Sequence, residues 1–135
     1  MASTISVQTS IQWTPPSAPT NSGQSALTFQ ASYNAQNVGT LDVPSGTPPA
    51  AVFDIPFGSV GKAKALIVKS MMTSDVDVKL NGSASVAFTL PPQGKFEYET
   101  PMDPSTGTYP MTSASITTLA TPTNTETLMF WVVGD

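Results

Sequence analysis

Ile5, Val7, Ile11 and Trp13 alternate with Ser6, Gln8, Ser10 and Gln12. A repeat of two is the mark of a β-strand with one face on a core and one in water. Pro15-Pro16 ends this strand, and residues 14–24 read as a loop rich in Pro, Ser, Asn and Gly. Leu27, Phe29, Ala31 and Tyr33 resume the alternation, and Val38 to Val43 forms a weaker third strand. After the turn-rich break at Pro44 to Pro49, Val52 to Phe57 reads as a short strand, with Pro56 pointing to an edge or a bulge.

Residues 62–72 favour helix by propensity at Ala63, Lys64, Ala65, Leu66 and Met71. The compact run Leu66-Ile67-Val68, following Gly58 and Gly61, fits a strand buried on both faces better. Val76 to Gly82, followed by Ala84, Val86, Phe88 and Leu90, reads as a hairpin. A tight Asn81-Gly82 turn would put Val86 and Phe88 on the polar side. A three-residue loop of Leu80, Asn81 and Gly82 instead faces Val76 with Val86 and Val78 with Ala84. Pro91 to Gly94 is a tight turn, Phe96 and Tyr98 mark another strand, and residues 100–112 form a long loop. Ser113 to Leu119 and Leu128 to Val133 are the last strands. The second is continuously apolar, which predicts a central strand covered on both sides.

This rhythm predicts an all-β fold, a two-sheet jelly roll or β-sandwich of about eight to ten short strands. The long loops favour the jelly roll, whose strands cross between sheets. At 135 residues the chain reads as a single domain over 1–135, with residues 1–24 a candidate extended N-terminal arm.

Composition narrows the chemistry. The chain has no histidine, no cysteine and a formal net charge of −4. Imidazole and thiolate metal sites, disulfides and Ser-His-Asp catalysis are thereby excluded. Its five basic residues are all lysines, and only Lys62 and Lys64 lie close together, which argues against nucleic acid. No apolar run approaches the ~20 residues of a membrane helix, and Met1 to Thr4 does not resemble a secretory signal.

Glu97 and Glu99 share a strand face, as paired carboxylates of a glycosidase would, but a solvated face opposite Phe96 and Tyr98 explains them as well. Asp75 and Asp77 open like a calcium loop, yet Lys79 and Leu80 stand where a ligand and a glycine belong. No catalytic, cofactor or metal residue is therefore assigned, and no enzyme is expected. Trp13, Tyr33, Tyr98, Tyr109 and Trp131 are candidate sugar-stacking aromatics; Trp131 reads as core and Tyr109, in a loop, as free. Trp13, Pro15, Pro16 and Tyr109 are the candidate interface residues.

Residues 51–135 combine an aliphatic strand ending in lysine (Ala65 to Lys69), a short alternating strand into Asn-Gly (Val76 to Gly82) and a proline-glycine turn (Leu90 to Gly94). A Ser/Thr-rich strand (Ser113 to Thr118) and an aliphatic-aromatic strand closing on Gly134-Asp135 follow. This pattern resembles small accessory proteins of tailed-bacteriophage virions, above all head decoration (cement) proteins. The chain departs from it at Ser70, in place of an asparagine, and at Lys95, in place of a second glycine. The first fifty residues carry none of the pattern.

The resemblance implies a non-enzymatic virion protein, made in the host cytoplasm and placed on the capsid exterior. It would work as a dimer or trimer that bridges major capsid protein subunits, without cofactor, nucleic acid or membrane. A tail or fibre component, or a carbohydrate-binding module for host recognition, is the alternative.

Overall fold

The computed structural model describes residues 3–13 and 23–135. These form ten strands and no helix: β1 (Ser3–Trp13), β2 (Gly23–Tyr33), β3 (Ala35–Val43), β4 (Val52–Asp54), β5 (Ala63–Ser70), β6 (Val76–Leu80), β7 (Phe88–Leu90), β8 (Lys95–Glu99), β9 (Ala114–Thr118) and β10 (Glu126–Gly134). One four-stranded antiparallel sheet has the order β3-β10-β5-β8, and a second has the order β4-β9-β6-β7. From β3 onward the chain passes from sheet to sheet at every connection except β6 to β7. That winding is a jelly roll of two interlocked Greek keys.

The core lies between the sheets. Leu128, Phe130 and Val132 of β10 pack there with Leu66 and Val68 of β5, and Val76, Val78 and Ile116 come from the opposite sheet. Met72 and Met111 close the core from the loops. Each aliphatic side chain so buried contributes roughly 1.5–3 kcal/mol. Most of this is offset by the entropy of ordering the chain.

Three expectations need correction. First, β10 is central, flanked by β3 and β5, but its outer face is covered only in part, with Val133 buried and Met129 exposed. Trp131, expected in the core, is half-buried on the outer face between Val38 and Ile67, and Met129 beside it is exposed. A sandwich has only two layers, so a strand in mid-sheet pairs both edges yet still turns alternate residues outward.

Second, β6 and β7 pair in a different register. Val76 faces Leu90 and Val78 faces Phe88, a slip of four residues that preserves strand parity. The Leu80 to Ser83 turn does close, with Ser83 N–H donating to Leu80 O at 3.0 Å and both Asn81 and Gly82 at positive φ. However, β9 captures the turn. Leu80 faces Ala114, Asn81 N–H donates to Ser113 O at 2.9 Å, and Thr112 N–H donates to the Asn81 side chain at 2.8 Å. The slip buries Leu90 completely and leaves the smaller Val86 44% exposed.

Third, the strand expected over Val52 to Phe57 ends at Asp54. It is an edge strand, and Pro56 lies just beyond it.

The edge strands β7 and β8 meet across the mouth of the sandwich. An aromatic ladder closes it, with Phe88 and Phe96 stacked at 5.3 Å and Phe96 and Tyr98 at 6.0 Å.

β1 and β2 stand apart from both sheets. They pair antiparallel along their whole length, from Ser3 opposite Tyr33 to Trp13 opposite Gly23. Only Asn34 separates β2 from β3, so this ribbon grows directly out of the jelly roll.

Candidate interaction surface

The ribbon is built from two 11-residue strands. At about 3.4 Å per residue it extends about 35 Å. Strand parity divides it. Thr4, Ser6, Gln8, Ser10, Gln30 and Ser32 form a polar, exposed face. The register sets Ile5 opposite Ala31, Val7 opposite Phe29 and Thr9 opposite Leu27. No charged side chain occurs before Asp42. Among the described residues β1 pairs with β2 alone, and β2 meets the body at β10 and, through the Ser32 carbonyl, at Lys64 of β5.

A buried lysine fastens the ribbon to the body. Lys64 on β5 is only 8% exposed. Its ammonium donates to the Ser32 carbonyl at 2.7 Å and pairs with the Asp135 carboxylate at 2.6 Å. It also sits 5.3 Å above the Tyr109 ring. The other oxygen of the Asp135 side chain accepts from Asn34 Nδ2 at 3.0 Å. The hydrogen bond from Lys64 holds the Asp135 carboxyl below its ordinary range; burial opposes this, while the lysine charge and Asn34 reinforce it.

The backbone completes the junction. Asn34 N–H donates to Gly134 O at 3.0 Å, and the Asp135 carbonyl accepts from Gly61 and Lys62 N–H at 2.8 and 2.7 Å. Gly134 allows this approach, because a Cβ there would run into the Lys62 carbonyl oxygen. Three stretches distant in sequence thus converge where ribbon meets sandwich.

The candidate interface residues do not form one patch. Trp13 lies opposite Gly23 at the far end of the ribbon. Pro15 and Pro16 lie outside the described residues. Tyr109, expected to be free, is half-buried beneath the Lys64 ammonium at the near end. A loop position does not keep an aromatic ring free when a buried cation lies within reach.

One member of each carboxylate pair takes up a structural partner. Glu97 forms an ion pair with Lys95 at 2.7 Å on an exposed strand, and Glu99 is exposed beside it. Asp77 accepts from the Thr89 hydroxyl at 2.6 Å, across the β6–β7 pair. Asp103, in the long loop, accepts from Ser105 N–H at 2.8 Å and its hydroxyl at 2.7 Å, which lower its pKa. Among the described residues no three acidic side chains gather closely enough to hold a metal ion.

Sequence reasoning missed the Lys64–Asp135 junction. The signal for it was a lysine inside an otherwise apolar strand, since buried lysines require a partner. No family model, no curated protein and no solved structure matches the chain.

Proposed function

We propose that this chain is a non-enzymatic structural protein of a phage virion, which decorates the capsid exterior and stabilises it by bridging major capsid subunits. The observation that carries this reading is the uncharged two-stranded ribbon projecting from a jelly-roll body. Bridging requires long, shallow contacts spread over several subunits rather than a cleft, and a ribbon about 35 Å long supplies reach. Ser, Thr, Asn and Gln side chains supply hydrogen bonds without the cost of burying charge. The likeness of residues 51–135 to decoration proteins supports the same reading.

Trp131 on the outer face suggests sugar stacking as a second reading. Its cross-strand neighbours are Val38 and Ile67, and an apolar row of this kind suits protein contact better than a hydroxyl-rich ligand. The test is co-sedimentation with empty capsids of the virus that encodes the chain. Decoration predicts saturable binding at a fixed ratio to the major capsid protein. Protein left wholly in the supernatant, with a tryptophan fluorescence shift on adding host polysaccharide, contradicts it.

A further inference from the structure

We propose that Asn81 is a deamidation site that the fold holds closed, because β9 latches the Asn81–Gly82 turn in a geometry that keeps the Asn81 amide away from the Gly82 nitrogen. This concerns the chemical durability of the chain, whatever particle or partner it serves.

Asn81 is the only asparagine of the chain that is followed by glycine. That dipeptide is vulnerable because glycine has no side chain to shield its backbone nitrogen. The Gly82 nitrogen attacks the side-chain carbonyl carbon of Asn81, and the new C–N bond closes a five-membered succinimide. The side-chain nitrogen leaves as ammonia, taking with it the proton of the Gly82 amide. Water then opens the ring at either carbonyl. One opening gives aspartate, and the other gives isoaspartate, which carries an extra carbon in the main chain. Both residues are exposed and the space around Gly82 is open, so water is at hand.

The folded turn opposes the first step. Asn81 and Gly82 have φ of 55° and 66°, and Ser83 N–H closes the turn on Leu80 O at 3.0 Å. This is the primed hairpin turn, in which ψ of the first central residue is about +30°. At that angle the Asn81 Cβ lies nearly opposite the Gly82 nitrogen across the Cα–C bond. Ring closure needs the two nearly eclipsed, so ψ must swing far enough to open the turn.

β9 resists that swing. Asn81 N–H donates to Ser113 O at 2.9 Å, and Thr112 N–H donates to Asn81 Oδ1 at 2.8 Å. The Thr112 bond also polarises the carbonyl under attack, but this gains nothing while the nucleophile is out of reach. Deamidation therefore waits on a local opening in which β9 releases the turn. Once formed, isoaspartate lengthens the main chain beside Leu80 and spoils its alignment with Ala114.

Peptide mapping by mass spectrometry tests this on the full chain, aged in neutral buffer with and without denaturing urea. Asn81 should convert at least tenfold more slowly in the folded chain than in urea. Thr112→Pro removes the N–H that holds the amide. It should raise the folded-state rate at least threefold and leave the rate in urea unchanged. Equal rates in folded and unfolded wild type overturn the proposal, and so does a folded Thr112→Pro variant that converts at the wild-type rate. If that variant does not fold, hydrogen exchange of the wild type decides. The Asn81 and Thr112 amides should both be protected. Free exchange at both, with Asn81 still intact, places the protection elsewhere and overturns the proposal.

Discussion

Lys64 and Asp135 form an ion pair at 2.6 Å whose two ends lie in different surroundings, since the lysine side chain is 10% exposed and the aspartate 43%. The lysine has exchanged water for a carboxylate, the Ser32 carbonyl and the Tyr109 ring. The aspartate retains partial hydration. Removing the aspartate should therefore harm the fold more than its own exposure suggests, because it strands a buried ammonium.

Lys64→Met keeps the apolar stem, removes the charge and frees a hydratable carboxylate. The expected loss is about 1–2 kcal/mol, near the lower range for a hydrogen bond to a charged group. Proteolysis within residues 3–33 should accelerate more than proteolysis of the body. Urea denaturation with timed protease digestion measures both.

The Asp135 and Asp103 carboxyls are both held below 3.8 in the folded chain. Unfolded copies of these groups take up protons first as the pH falls. Their contribution to stability is complete above about pH 4 and is lost as pH falls through the folded values. The melting temperature should decline across that window, and Asp135→Asn should flatten the decline. A profile identical in Asp135→Asn and wild type would count against the junction.

Gly134→Ala should be severely destabilising. Its Cβ would enter space held by the Lys62 backbone, and backbone cannot swing aside as a side chain can. A loss of about 2 kcal/mol or more is expected, at the upper end for overpacking. Gly46→Ala has open space around it and should cost less, with only the strain of its positive φ to bear. Thermal melts of the two variants separate these effects.

The register of β6 with β7 makes a paired prediction. Leu90→Ala should cost about 2–5 kcal/mol as a core truncation, and Val86→Ala less than about 0.5 kcal/mol as a surface change. Equal costs would favour the register in which Val86 faces Val76.

These corrections show which features a single sequence discloses. β5 and β10 were legible because unbroken aliphatic runs such as Leu66-Ile67-Val68 have few other uses in a chain of this length. The parity of Val76, Val78, Phe88 and Leu90 was legible from their alternation with Asp77 and Thr89. Their register was not, because β9, far along the chain, takes the hydrogen bonds of Leu80 and Asn81. The alternation of residues 5–13 and 27–33 disclosed two strands but not their pairing, which spans residues 14–22. Lys64 looked like a surface residue of an ambiguous segment, and its partner lies at Asp135. Trp131 misled because composition alone does not reveal which face of a central strand lacks a second layer.

The most direct test of the account is the heat stability of virions assembled with and without this chain. Decoration predicts that particles lacking it release their DNA at a lower temperature while adsorbing normally to the host, and that adding purified protein restores retention. Unchanged DNA retention combined with failed adsorption would contradict the account and assign the chain to host recognition.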